Sequence, residues 1–229
     1  MTTKAQQPTQ SLRHASFIDH VRFWHFITAF GDTILTVPAA LAIAVCLISA
    51  GRYRHMWIWI GVFAAAGSLV AMTKLLFMGW CLGIDAVGFT GISGHAAMAA
   101  VVFPVLFRLI AGACGPPIRH DAWFAGESFA VLIGISRLLI HVHSVAEVLS
   151  GLALGLCLSH LFLHLVRGSI RIAASRRSIL VSLVVWSSLA SLGPAPTHDM
   201  LENFAAWLSG REDAFQRGCV THDTPWEVV

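Results

Sequence analysis

Polar and apolar positions fall into long blocks, with apolar runs parted by short stretches rich in Gly, Pro, Arg and His. A membrane-spanning helix needs about 20 mostly apolar residues. The runs therefore predict six spans, at about 28–50, 56–78, 93–113, 123–140, 145–166 and 178–193. Pro38 interrupts the first, which membrane helices tolerate. Trp57 and Trp59 open the second and are expected at the membrane interface. Ahead of the spans, Phe17, Val21, Trp24 and Ile27 share one helical face, with Asp19, Arg22 and His25 elsewhere. That pattern predicts an amphipathic helix lying on the membrane surface.

Between spans two and three, residues 79–92 are Gly-rich and too irregular to cross. Gly115-Pro116-Pro117 marks a turn, 167–177 is a basic loop, and Gly193-Pro194-Ala195-Pro196 ends span six. The tail is polar and acidic, with 199–209 suited to one more surface helix. The expected fold is an all-α integral membrane six-helix bundle with an N-terminal interfacial amphipathic helix. It divides into a tail and interfacial helix (1–27), a six-span domain (28–193) and a polar C-terminal tail (194–229). The polar first ten residues lead into no cleavable signal pattern, so the first hydrophobic helix is expected to act as an uncleaved anchor.

Composition agrees. Of 229 residues, 56% are hydrophobic and 12% charged, and the mean hydropathy is +0.73. Soluble domains carry roughly twice that charged fraction. A soluble enzyme, a disordered chain and a coiled coil are thereby excluded. The net charge of +3 is too mild for a nucleic-acid partner. Six spans put both termini and the 79–92 loop on one side. Eight of the 15 basic residues (Arg52, Arg54, Arg108, Arg119, Arg167, Arg171, Arg176, Arg177) fall in three short loops on the other. The positive-inside rule makes that side cytoplasmic. The termini and the 79–92 loop then face the periplasm or exterior of a bacterial-type inner membrane.

Five cysteines without CxxC or metal spacing do not read as a disulfide framework. Cys46 and Cys157, in apolar runs, are expected as small core residues. Cys81 and Cys219 share the outer side, where a disulfide would pin the tail beside the helix ends.

Ionisable groups within spans point to function. Here they gather at the outer ends of spans two to five: Lys74, Ser93-Gly94-His95, Ser136-Arg137, His143 and Glu147. Lys74 and Arg137 offer fixed positive charge to an anion. The Ser93 and Gly94 amides, at a helix N-terminus, add donors. His143 and Glu147, one turn apart, let the carboxylate hold one imidazole nitrogen and leave the other as a nucleophile. His95 can protonate a leaving oxygen. The set fits phosphoryl transfer through a phosphohistidine, with no metal or cofactor called for. Asp32 lies on the same face, placed to cap or pair. Glu127, inside span four, reads as buried polar glue, and His160 with His164 is not expected to bind metal.

Ser136-Arg137, five residues, His143, three residues, Glu147 resembles the third signature of the type 2 phosphatidic acid phosphatase superfamily. Ile92-Ser93-Gly94-His95 resembles its second, Pro-Ser-Gly-His, and Lys74 fits the start of its first, Lys, six residues, Arg-Pro. The resemblance covers about 74–165. It implies a six-helix membrane phosphatase acting on a lipid phosphate or diphosphate. His143 would be the nucleophile, Glu147 its orienting partner and His95 the acid, with Lys74, Ser93, Gly94 and Arg137 holding the phosphate. Three departures stand out. Pro becomes Ile92, Asp becomes Glu147, and the first signature's Arg-Pro falls on Cys81-Leu82 with no Arg anywhere in 75–92. Loss of that bidentate contact would cost about 2–4 kcal/mol of transition-state binding. His141 is the nearest replacement cation in sequence. Substrate candidates are an isoprenoid diphosphate, phosphatidic acid, phosphatidylglycerol phosphate and a lipid A phosphate. Two alternatives stay open: transfer of the phosphoryl group to another lipid, and a catalytically weak membrane protein that binds lipid phosphate.

Overall fold

The computed structural model describes residues 21–114, 118–166 and 197–219. Their order is α1 (residues 21–29), α2 (Thr33–Ser49), α3 (Tyr53–Trp80), α4 (Gly94–Cys114), α5 (Ile118–Leu139), α6 (Val145–Leu165) and α7 (Thr197–Ser209), with a 3₁₀ turn at Asp85–Val87. There is no strand among the described residues, as the all-α reading requires. Among the described residues, five stretches are long and apolar enough to cross a membrane: Val21–Ser49, Tyr53–Trp80, Gly94–Gly112, His120–Leu139 and Val145–Leu165. The protein is a multi-pass membrane protein. The sixth expected span, 178–193, and the basic loop 167–177 lie outside the described residues.

α4 is the axis of the bundle. Ala96, Ala97, Ala99, Ala100, Val101, Val102 and Val105 are completely buried, because α2, α3, α5 and α6 all pack on it. Small residues let the backbones approach, which drives helix association where lipid is as apolar as the side chains. A Cβ on Gly151 of α6 would lie 2.7 Å from Ser93 O, and one on Gly155 would clash with Ala97 O. These two glycines therefore set the α4–α6 separation, and with it the distance between the start of α4 and the start of α6. Gly155→Val is expected to destabilise the protein by about 1–3 kcal/mol through overpacking. The check is its thermal midpoint in detergent against Gly61→Ala, a site whose added Cβ meets nothing within 4 Å.

Two expectations change, those for Trp59 and Cys157, and the N-terminal helix gains packing partners. The apolar face of α1 turns into the bundle: Ile27 is buried with Ala99, Ala100 and Phe103 of α4 and Ala130 and Ile133 of α5, and Trp24 and Phe30 pack against the same cluster. The reason is that α1 runs almost directly into α2 and shares its neighbours. Trp59 is not at an interface. It is 1% exposed, donates its indole N–H to Ala40 O at 2.8 Å and meets Phe162 edge-on, while Trp57 is 67% exposed. Two residues apart on a helix cannot share a face. Cys157 is exposed, because α6 turns Gly151, Gly155 and Ser159 inward; Cys46 is buried as expected. Glu127 does act as polar glue, hydrogen-bonded to His160 and so joining α5 to α6.

Candidate active site

The sequence Ser144-Val145-Ala146-Glu147 starts α6 with a capping box. Ser144 Oγ accepts from Glu147 N at 3.3 Å, and Glu147 Oε2 accepts from Ser144 N at 3.0 Å. This arrangement accounts for a glutamate here: at the third helical position its extra methylene lets the carboxylate fold back to the cap. The same oxygen takes His143 Nδ1 at 2.6 Å. Oε1 accepts from Thr90 N at 2.9 Å and Thr90 Oγ1 at 2.5 Å. A carboxylate offers only acceptors, so His143 Nδ1 carries the proton and Nε2 the lone pair. Burial pushes the His143 pKa below its usual 6.5, against the hydrogen bond that its Nδ1 donates to Glu147, which raises it. The net effect favours the neutral ring.

The start of α4 lies alongside. Ser93 N donates to Glu147 O at 3.0 Å. This corrects one expectation: the Ser93 amide is spent on joining α4 to α6 and is not available to an oxyanion. The Gly94 amide makes no hydrogen bond among the described residues. Ser93 Oγ and Arg137 Nε are buried with no hydrogen-bond partner among the described residues. Buried donors of this kind are rare and call for an explanation, such as a ligand.

Asp32 both caps and pairs. Its Oδ1 accepts from Ile34 N at 2.9 Å, and its Oδ2 lies 3.7 Å from His95 Nε2. Close packing at Gly31 permits this, since a Cβ there would lie 3.0 Å from His95 Cβ. Arg137, near the end of α5, donates to Thr28 Oγ1 at 3.1 Å. Arg137 lies within electrostatic reach of Lys74, His95 and His143, and Lys74 of Glu147. The start of α2 and the ends of α3 to α6 that carry these residues are thus neighbours at one end of the bundle.

A cavity of about 370 Å³ opens at this end, walled by Lys74, Phe77, Met78, Thr90, Gly91, Val142, His143, His198, Glu202, Phe215, Gln216 and Arg217. Lys74 and His143 are on its wall; Ser93, Gly94, His95, Arg137 and Glu147 are not. The tail forms the far wall. α7 packs on the end of α3 through Ala205, Phe77 and Met78. Phe215 N donates to Met78 O at 2.7 Å, and Cys81 and Cys219 form the disulfide. Arg217 then donates through Nη2 to Glu147 Oε2 at 2.8 Å and Val142 O at 3.2 Å. His141 is exposed and lines no part of the cavity, so the nearby cation is Arg217, not His141.

Sequence reasoning did not single out Thr28, Thr90 or Arg217. The only signal for Arg217 was its place two residues before Cys219. Thr28 and Thr90 gave none, because a lone threonine near a helix end is commonplace.

This geometry coincides with a family pattern. The PAP2 superfamily matches residues 81–171, the stretch that carries Ser93, Gly94, His95, Arg137, His143 and Glu147. Over 200 residues the chain is 35% identical to an "uncharacterized 22.5 kDa protein in cps region" of Klebsiella pneumoniae, covering 85% of this chain and 95% of that protein. The chain belongs to the PAP2 superfamily. PAP2 superfamily members are phosphatases. A shorter similarity, 38% identity over 68 residues, links the chain to phosphatidylglycerophosphatase B of Bacillus subtilis (strain 168), covering 29% of this chain and 34% of that protein. No solved structure is significantly similar. Lys74 and Arg217 both lie outside the PAP2 match.

Proposed function

We propose that this PAP2 protein is a metal-independent phosphatase that removes phosphate from a lipid-linked phosphate or diphosphate, at the outer face of a bacterial-type inner membrane. The observation that carries this reading is the His143–Glu147 pair, whose geometry leaves Nε2 as a lone-pair nitrogen on a residue that walls the cavity beside Lys74. Nε2 attacks phosphorus and the bond to the leaving oxygen breaks. His95 gives that oxygen its proton. Water then attacks the phosphohistidine, losing a proton to His95, and phosphate departs. Lys74, Arg137, the Gly94 amide and Ser93 Oγ steady the charge on the equatorial oxygens. Asp32 holds His95, as Glu147 holds His143. The bilayer delivers the substrate, and the similarity to a phosphatidylglycerophosphatase puts phosphatidylglycerol phosphate first in the substrate panel.

The test is phosphate release by detergent-purified protein from phosphatidylglycerol phosphate, phosphatidic acid, an isoprenoid diphosphate and a lipid A phosphate, with EDTA present. Release from at least one, undiminished by EDTA, is expected, because the chain's own cations supply the charge. Absence of release from all four by folded protein would overturn the reading.

A pH dependence follows. Nucleophilic attack needs neutral His143. Its pKa is below 6.5, so protonation removes activity only as pH falls through that lower value. The acid limb of kcat/KM is expected to have its midpoint below 6.5. The same midpoint for a monoester and a diphosphate would separate the histidine's titration from the substrate's own.

A further inference from the structure

The C-terminal tail crosses from α7 back to the end of α3 and lays one guanidinium on the cavity wall. Arg217 is the only arginine among the residues that wall the cavity. Its side chain is 53% exposed, and only Nη2 is engaged, by Glu147 and Val142. Nη1 and Nε make no hydrogen bond among the described residues. A guanidinium is a planar fork whose remaining N–H groups match two oxygens of a phosphate. Three separate attachments fix it: α7 on α3, Phe215 N–H on Met78 O, and the Cys81–Cys219 disulfide. So much anchoring for a short polar segment is hard to account for if the segment only covers the site.

We propose that Arg217 is a phosphate-binding residue of this site, a cation supplied from the C-terminal tail and held in place by the Cys81–Cys219 disulfide. Cys81 stands where the first signature would have its arginine. The chain therefore exchanges an arginine in the loop for a tether that brings one from 136 residues further along, as the numbering of Cys81 and Arg217 gives. On the cavity wall the cations Lys74 and Arg217 stand against one carboxylate, Glu202, which suits an anionic ligand. The inference rests on the phosphatase reading for its substrate, though not for the anion site itself.

The experiment uses the full chain in detergent, with two readouts: binding of inorganic phosphate by calorimetry, and KM and kcat for release from the lipid panel. R217A is expected to weaken phosphate binding and raise KM by about 10–100-fold, with R217K recovering part of the loss. C219S and C81S, and the wild type treated with dithiothreitol, should shift toward R217A. In the last case the disulfide gains two electrons and two protons to become two thiols while the reagent closes to its own cyclic disulfide. None of these treatments should add to R217A. Thermal midpoints certify folding, and R217Q replaces R217A if the alanine variant does not fold. Unchanged phosphate affinity in folded R217A would overturn the proposal, including when kcat falls and the acid limb moves, since that would make Arg217 a positioning group for Glu147. Release by the wild type with R217A unaffected would sink this inference and leave the phosphatase reading intact. Phosphate binding that depends on Arg217 without release from any lipid would do the reverse.

Discussion

Replacing His143 with Ala is expected to lower phosphate release by about 10⁴-fold, to the level that charge and positioning alone sustain. The size of the effect follows from the division of labour at this carboxylate. His143 has Nδ1 committed to Glu147, which leaves its second nitrogen with the lone pair, whereas His198, the other imidazole on the wall, has its Nε2 3.2 Å from Glu202 Oε1. Lys74, Arg137 and the α4 start would still bind the phosphate, so affinity for inorganic phosphate should change by less than about tenfold. Folding should survive as well. Without the imidazole, Glu147 keeps Thr90, Ser144 and Arg217 as donors, and the cap of α6 stays closed. Retention of more than a tenth of wild-type turnover would exclude the phosphohistidine route. A thermal midpoint close to wild type is needed for the result to count.

Much of this candidate site is legible in the sequence, and the reason is physical. In a membrane, a charge has few tolerable positions, so Lys74, His95, Arg137, His143 and Glu147 stood out against apolar runs. The runs themselves placed five helices to within a few residues, because the bilayer fixes both length and composition. What failed were statements about faces. Trp57 and Trp59 looked alike in sequence, yet one is exposed and the other buried against Phe162. Cys157 looked like Cys46 and lies on the opposite kind of surface. Where nearly every position is apolar, periodicity loses its contrast, and small residues become the better guide. Gly151 and Gly155 mark the buried side of α6 where hydrophobicity does not.

Arg217 was hidden for a different reason. Its contacts cross 70 and 75 positions of sequence, from a polar tail whose composition suggests nothing but solvent. Cys219 was the only clue, and it became informative once Cys81 was seen at the place of an absent arginine. The departure that most weakened the enzymatic reading thus has a structural counterpart in the tail. A second departure, Glu147 for Asp, is explained locally by the capping box: this site uses one carboxylate both to start α6 and to hold His143.

That double use makes Glu147→Gln the second severe substitution, with an expected loss of on the order of 10²–10⁴-fold in kcat. The amide keeps the size of the carboxylate but not its acceptors. Five donors converge on the two oxygens: Thr90 N and Oγ1, Ser144 N, His143 Nδ1 and Arg217 Nη2. An amide NH₂ in place of either oxygen turns acceptor into donor and sets N–H against N–H. If it faces His143, the ring must switch tautomer to accept at Nδ1, which puts the proton on Nε2 and masks the nucleophile. If it faces Thr90, the loop that closes over α6 loses its anchor. Glu147→Asp keeps the charge and loses reach, so it should retain more activity than Glu147→Gln while giving up the fold-back to Ser144. The ordering wild type, Asp, Gln in kcat is therefore the expected result. Gln equal to or above Asp would mean that shape, not the acceptor set on the carboxylate, is what His143 needs.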